Sequence, residues 1–167
     1  GSASGTGTIK AVRHGMLASV KRATLIVNPY STQVTGKLIT DVERVLRQRL
    51  DVQTEFTRRP GHATELAAEA AGSSDAILVL SGDGTYNEAL NGADGTVPFG
   101  FVPGGGTNVL PRALGLPRGA VDAARWVRDA LAEGRTRRIS LGAVNGRRVP
   151  EHSPVSTQSR RASPVFE

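Results

Sequence analysis

The sequence predicts an α/β fold built as a three-layer open parallel sheet with helices on both faces. Its 167 residues are enough for one domain of ordinary size. Short apolar runs alternate with segments in which apolar residues recur every three to four positions, the pattern of strands alternating with amphipathic helices. The run Ala76–Leu80 is apolar at every position, which is typical of a parallel strand covered on both faces. These observations together favour a sheet buried between two layers of helices.

The predicted strands are short and end at turn-forming residues. Thr24–Val27 is apolar and rich in β-branched residues, and it stops at Asn28-Pro29. Arg137–Val144 alternates apolar and polar positions, as a strand with one covered face does. In chain order the five predicted strands are 24–27, 52–56, 76–80, 97–102 and 137–144.

The predicted helices fall between these strands. From Leu38 the apolar residues follow the 3.6-residue period, and an alanine-rich segment over His62–Ala71 stops at Gly72. Another helix begins near Thr85. The remaining helices are predicted over 107–114 and 120–131, and the second of these has one continuous apolar face.

The two ends of the chain differ in composition from its middle. We expect residues 1–22 to be a flexible, basic N-terminal extension, residues 23–148 to be the folded domain, and residues 149–167 to be a disordered tail rich in serine and proline. The formal net charge of +6 comes from the ends, because residues 23–146 hold 13 basic and 13 acidic residues. With a neutral middle and only 4% aromatic residues, we expect no nucleic-acid partner.

Residue counts exclude several other classes of protein. The chain has no cysteine, which excludes disulfides and thiolate metal sites. Its three histidines, His14, His62 and His152, do not have the spacing of a zinc site. No apolar run is long enough to cross a bilayer, and the N-terminus lacks the apolar stretch of a signal peptide. We therefore expect a soluble, cytoplasmic protein.

A glycine-rich turn over Ser81–Glu88 follows the buried strand and precedes a predicted helix. Glycines let the backbone approach a phosphate, and the first amides of the helix point to the same place. Asp83 suits such a site if it holds nucleotide hydroxyls or meets the phosphates through Mg²⁺. The alternative is an ordinary turn between strand and helix in which Asp83 is the N-cap.

A second glycine cluster, Pro103–Asn108, also follows a predicted strand. The carboxyl ends of parallel strands lie on one edge of an open sheet, so both clusters and the turn Asn28–Thr32 can face one cleft. Neither cluster is followed by the Gly-Lys-Ser/Thr of a Walker A loop, and neither has the GxGxxG spacing of a dinucleotide site. The three turns together indicate a nucleotide site of another kind.

At these motifs the chain resembles the diacylglycerol-kinase-like lipid kinases, especially their bacterial members, which share a superfamily with NAD kinases. Order and spacing agree from Thr24 to Arg148. The resemblance implies the fold of that family's nucleotide-binding first domain. The motifs that carry it are Asn28-Pro29, Ser81–Thr85 with Asn87-Glu88, and Pro103–Asn108 with Ala113–Pro117.

The resemblance implies an enzyme that uses ATP and Mg²⁺ to phosphorylate the hydroxyl of a diacylglycerol-like lipid. Backbone amides of Gly82, Gly84 and Thr85 would cradle phosphates, and Asp83 would hold polar groups of the nucleotide or the metal shell. It assigns no catalytic residue and no direct metal ligand to this chain, and we expect His62 to be structural or to face solvent. The ATP-binding residues that it implies are Asn28, Pro29, Tyr30, Ser31, Thr32, Thr57, Gly82, Asp83, Gly84, Thr85, Tyr86, Asn87, Glu88, Gly105, Gly106, Thr107 and Asn108.

The sequence also departs from the family pattern. Ser81 replaces the first motif glycine, Gly106 stands where a hydroxyl residue is usual, and Val109 stands where many relatives have Asp. The family's second, mostly β domain supplies metal-binding residues and the general base, and we expect it to be absent, which leaves the chain incomplete as an enzyme. We expect the surface so uncovered, near Ile139–Val144, to present an unpaired strand edge prone to self-association.

A lipid substrate implies a cytoplasmic protein that is peripheral to the membrane and meets its substrate at the membrane surface. Two other functions remain open from the sequence. One is an NAD or sphingoid-base kinase of the same superfamily. The other is a catalytically inactive remnant that serves in binding or interaction.

Overall fold

The computed structural model describes residues 7–16, 19–93, 95–144 and 147–150, with side chains over 19–93 and 95–137. The strands are β1 (Gly7–Met16), β2 (Arg22–Val27), β3 (Asp51–Phe56), β4 (Ala76–Ser81), β5 (Phe99–Pro103), β6 (Arg135–Val144) and β7 (Arg147–Pro150). The helices are α1 (Gly36–Leu46), α2 (His62–Ser73), α3 (Asp83–Gly92), α4 (Val109–Ala113) and α5 (Ala120–Ala132). The seven strands form one sheet in the order β3-β2-β4-β5-β1-β6-β7.

Four neighbouring strands of this sheet, β3, β2, β4 and β5, are parallel to one another. The four strands finish at nearly the same height in the sheet. Val27 lies opposite both Phe56 and Leu80, and Ser81 lies opposite Pro103. The loops that follow these strands therefore leave the sheet side by side. We call this side of the sheet the carboxyl edge.

Helices cover both faces of the parallel strands. α1 packs against α5, and α2 packs against α3. The right-handed crossovers usual between parallel strands put α1 on one face and α2 and α3 on the other. α5 joins the face of α1 through its contact with that helix, and Ile77–Leu80 of β4 are completely buried. The predicted three-layer α/β fold is confirmed. No helix in the described part of the chain has the length and apolar character needed to span a bilayer.

Local capping fixes where two helices begin near the carboxyl edge. The Thr35 hydroxyl accepts a hydrogen bond from the Leu38 amide at 3.1 Å and caps α1. Before α2, Gly61 adopts a positive φ of 83°, and His62 Nδ1 accepts a hydrogen bond from the Arg58 amide at 3.0 Å. His62 thus shapes the loop into α2, which confirms the structural role predicted for it.

The prediction of a flexible N-terminal extension over residues 1–22 is wrong for Gly7–Met16 and for Arg22. Gly7–Met16 forms β1, which pairs antiparallel with β6 and touches β5 through one parallel bridge between Ala11 and Phe99. Arg22 begins β2. The residues of β6 that pair with β1 lie more than 100 positions away along the chain, as with Gly7 and Leu141, so composition alone gives no sign of them.

The C-terminal predictions also need correction. Arg147–Pro150 forms β7, so residues 149 and 150 belong to the sheet and not to the predicted tail, whose remaining residues lie outside the described part. The strand around Ile139–Val144 is not an unpaired edge, because β6 is bonded to β1 on one side and to β7 on the other. β7 takes the edge position instead.

Candidate functional site

Three loops at the carboxyl edge line a cleft of about 460 Å³. They follow β2, β3 and β4, whose ends are brought level by the parallel register. Six of the residues predicted to bind a nucleotide line this cleft. They are Asn28, Tyr30, Thr57, Gly84, Thr85 and Glu88.

The turn after β2 is fastened to both glycine clusters. Asn28 Oδ1 accepts a hydrogen bond from the Tyr30 amide at 3.0 Å, and Asn28 Nδ2 donates to Thr85 Oγ1 at 3.2 Å. Further along the turn, the Ser31 hydroxyl donates to the Gly104 carbonyl at 2.9 Å. The Asn28 and Ser31 side chains therefore hold the turn in place, while the Tyr30 side chain, 82% exposed, stands at the rim.

The two glycine turns touch through their backbones. A Cβ atom on Gly105 would lie 2.7 Å from Gly82 Cα, and one on Gly82 would lie 3.3 Å from Gly105 Cα. The Gly104 amide donates to the Ser81 carbonyl at 2.7 Å beside this contact. Glycine at 105 is thus required by a close approach of two chain segments.

Asp83 joins the first turn to the helix that follows the second. Its carboxylate accepts hydrogen bonds from the amides of Val109 at 3.0 Å and Leu110 at 3.3 Å. These are the first amides of α4, which have no partner within that helix. The sequence analysis expected Asp83 to face the nucleotide or a metal ion, or to cap its own helix. Here it caps the neighbouring helix α4, a contact that no sequence signal indicated.

Asn108 shapes the second turn with both its backbone and its side chain. It has left-handed dihedral angles, φ 51° and ψ 52°, and the helix predicted from Thr107 begins after it, at Val109. Its amide side chain accepts from Gly105 N at 3.0 Å and donates to Gly105 O at 2.7 Å. Because the side chain is buried and paired in this way, it serves the turn itself.

The side chain of Tyr86, one of the residues predicted to bind the nucleotide, does not face the cleft. Tyr86 is completely buried, and its hydroxyl lies 2.7 Å from the Ser81 carbonyl and 2.8 Å from the Val102 carbonyl, so it donates between the ends of β4 and β5. Burial, together with the negative charge of Asp83, raises the pKa of Tyr86 well above its usual value. The side chain ties two strands together and offers no surface to a ligand.

Ser81 carries a buried hydroxyl without a hydrogen-bond partner among the described residues. An unpaired buried hydroxyl costs about 1–3 kcal/mol. We expect Ser81→Ala to raise the free energy of unfolding by about 1 kcal/mol, measured by urea denaturation. Thr24 supplies the control, since its buried hydroxyl lies 2.6 Å from Ser74 Oγ and Thr24→Val should lower stability. A loss of stability in Ser81→Ala would contradict the expectation.

Three residues of the cleft wall were missed by the sequence analysis: Arg58, Arg59 and Pro60, which follow β3. Arg59 Nη2 contacts both carboxylate oxygens of Glu65 at 2.7 Å, and this hydrogen bond lowers the pKa of Glu65. The Arg58 side chain has no ion pair or hydrogen bond within the described residues, so its charge is available to a ligand. The sequence feature that could have revealed this wall is the pair of basic residues, Arg58 and Arg59, directly after β3.

The other predicted residues lie near the cleft but do not line it. Gly82 and Gly105 form the contact between the two glycine turns, Asp83 caps α4, and Asn108 is paired within the second turn. Gly106 and Thr107 are exposed at the tip of the second turn. The remaining predicted residues outside the lining are Pro29, Ser31, Thr32 and Asn87.

The acidic groups near the cleft are few. Glu88 lines it, and Asp83 has both oxygens bonded to amides. Within the part of the chain that the structure describes, no three His, Cys, Asp or Glu side chains lie together as metal ligands would.

Comparison with known proteins identifies the family. Residues 22–144 match the diacylglycerol kinase catalytic domain. This chain belongs to that family. The diacylglycerol kinase of Bacillus subtilis (strain 168) is 38% identical over 133 residues, which cover 76% of this chain and 43% of that protein. The diacylglycerol kinase of Staphylococcus saprophyticus is 32% identical over 133 residues, which cover 76% of this chain and 42% of that protein.

Solved structures of the diacylglycerol kinase family agree with the fold. The crystal structure of a diacylglycerol kinase from Bacillus anthracis superimposes with a TM-score of 0.71 at 27% identity. The superposition covers 79% of this chain and 46% of that chain. The chain thus spans less than half the length of the diacylglycerol kinases that it matches.

Proposed function

We propose that the cleft at the carboxyl edge binds ATP and that this chain is the nucleotide-binding part of a lipid kinase. The observation that carries this proposal is the cleft itself, where hydroxyl, amide and guanidinium groups from the loops after β2, β3 and β4 converge. Its volume of about 460 Å³ is within the range of small-molecule sites. The relatives named diacylglycerol kinase support phosphoryl transfer to a lipid hydroxyl as the reaction.

The groups around the cleft suit a triphosphate. Gly84 and Thr85 lie in the first turn of the ten-residue helix α3, whose free amides and positive dipole end favour phosphate oxygens. Arg58 adds a full positive charge on the opposite wall. Asn28 and Thr57 supply further polar groups between them. Binding and orientation of the phosphates, with neutralisation of their charge, is the contribution of these residues to catalysis.

The divalent cation is proposed to arrive with the nucleotide. Mg²⁺ commonly keeps several waters and binds through substrate phosphates and one or two carboxylates, so it needs no complete cage of protein ligands. Glu88 is the carboxylate in the cleft lining. When bound, the cation neutralises phosphate charge.

The acceptor side of the reaction is proposed to lie outside the aligned residues. The chain covers 43% of the Bacillus subtilis diacylglycerol kinase, and none of the side chains lining the cleft is assigned proton abstraction from the lipid hydroxyl. We assign the general base and the lipid site to the part of the diacylglycerol kinases that this chain does not cover.

A membrane surface is the proposed location of the substrate, with the protein bound peripherally on the cytoplasmic side. Arg112 and Arg118 support this proposal. Together with Leu116 they line a small hollow beside the second glycine turn, and neither arginine has an acidic partner within the described residues. On α1 and α5, by contrast, Arg44 and Arg125 are paired with aspartates. Unpaired arginines at this edge suit an approach to anionic lipid.

Replacement of Arg58 tests the proposed site. Calorimetric titration with Mg-ATP should show saturable binding to the unmodified chain, and Arg58→Gln should weaken it about three- to tenfold by removing a charge-assisted contact to phosphate. The control is Arg44→Gln, which removes an exposed arginine that lies on the last turn of α1 and is paired with Asp41. We expect the affinity of this variant to match that of the unmodified chain.

Two results would contradict the proposal. Absence of any heat from Mg-ATP would show that the cleft is not a nucleotide site. Equal weakening by Arg58→Gln and Arg44→Gln would show that net charge, and not the cleft, governs the binding.

A further inference from the structure

Arg112 and Arg118 line one small hollow beside the second glycine turn, and neither lines the cleft proposed for the nucleotide. The hollow has a volume of about 30 Å³, enough for about two water molecules. Three of its lining residues are prolines, whose fixed φ angles make the wall stiff: Pro103, Pro111 and Pro117. A ligand can therefore meet the hollow only through one small group.

A fixed backbone turn brings the two arginines to this hollow. Arg112 lies in the last turn of α4, and the chain then reverses at Gly115, which has a left-handed φ of 72°. The amides of Gly115 and Leu116 donate to the carbonyls of Arg112 and Pro111, both at 2.9 Å. Leu116 is buried, which anchors the returning segment that carries Arg118. The backbone of both arginines is thus held in place without a ligand.

The charge of this pair is not neutralised within the described residues. Both arginine side chains are exposed, and neither makes a hydrogen bond or an ion pair there. The acidic side chains nearby on α3 and α5 are already bonded. Asp83 accepts the amides of Val109 and Leu110, and Asp122 lies 2.7 Å from Arg125. The hollow therefore presents two free positive charges.

Helix stability does not explain the position of Arg118. This residue precedes Gly119, the N-cap of the 13-residue helix α5. The amino end of a helix carries partial positive charge, so a cation is unfavourable there. Arg112 lies at the favourable end of a helix, but α4 has only five residues. A bound anion accounts for both arginines.

We propose that the hollow is a second anion site, in which Arg112 and Arg118 bind one phosphate group of a ligand other than the nucleotide. Guanidinium groups bind phosphate oxygens through two parallel N–H···O bonds, so two arginines match both the shape and the charge of one phosphate. The phosphate comes from a phospholipid headgroup or from a free phosphate. The inference deepens the proposed approach to anionic lipid and rests on that proposal only for the source of the phosphate.

The experiment compares the unmodified chain with the double variant Arg112→Gln/Arg118→Gln, called the hollow variant. The control, Arg44→Gln/Arg125→Gln, removes the same net charge from exposed arginines that are paired with aspartates on α1 and α5. The first probe is inorganic phosphate, followed by NMR. We expect it to shift the side-chain Nε–H signals of Arg112 and Arg118 in a saturable way, with no such shift at Arg44.

The second probe is a vesicle of phosphatidylcholine with or without phosphatidylglycerol, followed by co-sedimentation. We expect the hollow variant to lose binding to the phosphatidylglycerol vesicles about twenty-five-fold, about fivefold for each arginine. The control should lose less than about twofold, because its arginines are already paired. Vesicle binding that depends on the hollow assigns the site to a lipid headgroup. Phosphate shifts without such vesicle binding assign it to a free phosphate.

Three results would overturn the site. One is equal loss of binding in the hollow variant and the control, since net charge would then govern binding. Another is the absence of any phosphate shift at Arg112 and Arg118 together with unchanged vesicle binding by the hollow variant. The third is a lower urea midpoint of the hollow variant, which would assign the arginines to the fold.

Mg-ATP separates this inference from the proposed function. The hollow variant should bind Mg-ATP as the unmodified chain does, because neither arginine lines the cleft. If the unmodified chain binds no Mg-ATP but the phosphate shifts at the hollow persist, the proposed function fails and the anion site stands.

Discussion

Gly92→Ala is expected to destabilise the fold by about 3 kcal/mol or more. Gly92 ends α3 where this helix crosses α2, and a Cβ atom there would lie 2.0 Å from the Thr64 carbonyl oxygen and 2.8 Å from its carbon. The obstacle is backbone, so no side-chain rotation relieves it. The Thr64 hydroxyl also donates to the Glu88 carbonyl at 2.9 Å, which holds the two helices at this distance. Urea denaturation of the unmodified chain and of Gly92→Ala measures the difference in their free energies of unfolding.

Gly72→Ala is the matched control for this substitution. Gly72 lies in α2, and a Cβ atom there would meet nothing within 4 Å. Alanine favours a helix over glycine by about 0.5–1 kcal/mol, so Gly72→Ala should gain stability by that amount. If Gly92→Ala gained as well, α2 and α3 would be free to move apart, contrary to the packing described.

Gly105→Ala is expected to lower the affinity for ATP at least tenfold and to cost about 1–3 kcal/mol of stability. The new Cβ atom would lie 2.7 Å from Gly82 Cα and 3.3 Å from Asn108 Oδ1, so the two glycine turns must separate. Their separation moves the proposed phosphate-binding backbone by a distance that hydrogen bonds do not tolerate. Calorimetric titration with Mg-ATP and urea denaturation measure the two effects.

Gly106→Ala provides the comparison for stability. The residue is exposed in the same turn, and its Cβ atom would meet nothing within 4 Å. We expect its free energy of unfolding to stay within about 0.5 kcal/mol of the unmodified chain. Equal stability of the Gly105 and Gly106 variants would show that the turns are not in the close contact described.

Much of the fold could be predicted because local pattern and global position agree. The run Ala76–Leu80 is apolar throughout since β4 lies at the middle of the parallel strands with helices on both sides. Polar and glycine residues follow each parallel strand because the loops there leave the core. β1 could not be predicted in this way, since its pairing with β6 depends on residues far away in the chain.

The sequence predicted where the candidate site lies better than it predicted what each of its residues contacts. Motif spacing placed Asn28, Thr57 and Thr85 at one edge, and the cleft lies there. Spacing carries no information on where a side chain points. Asp83 and Tyr86 are the chain neighbours of Gly84 and Thr85, which line the cleft. Asp83 nevertheless bonds to α4, and Tyr86 is buried between strands. Both directions follow from tertiary packing.

The hydrogen bonds from the Tyr86 hydroxyl to the carbonyls of Ser81 and Val102 make the β4 side of the cleft more rigid than the β3 side. On the side of β4 and β5 these hydrogen bonds tie the two strand ends together, so we expect the spacing of the two glycine turns to change little when a ligand binds. The other side of the cleft includes two exposed side chains, Tyr30 in the turn after β2 and Arg58 in the loop after the edge strand β3. We therefore expect substitutions on the β3 side to change which nucleotide the proposed site prefers. The opposite wall should keep its affinity for phosphate.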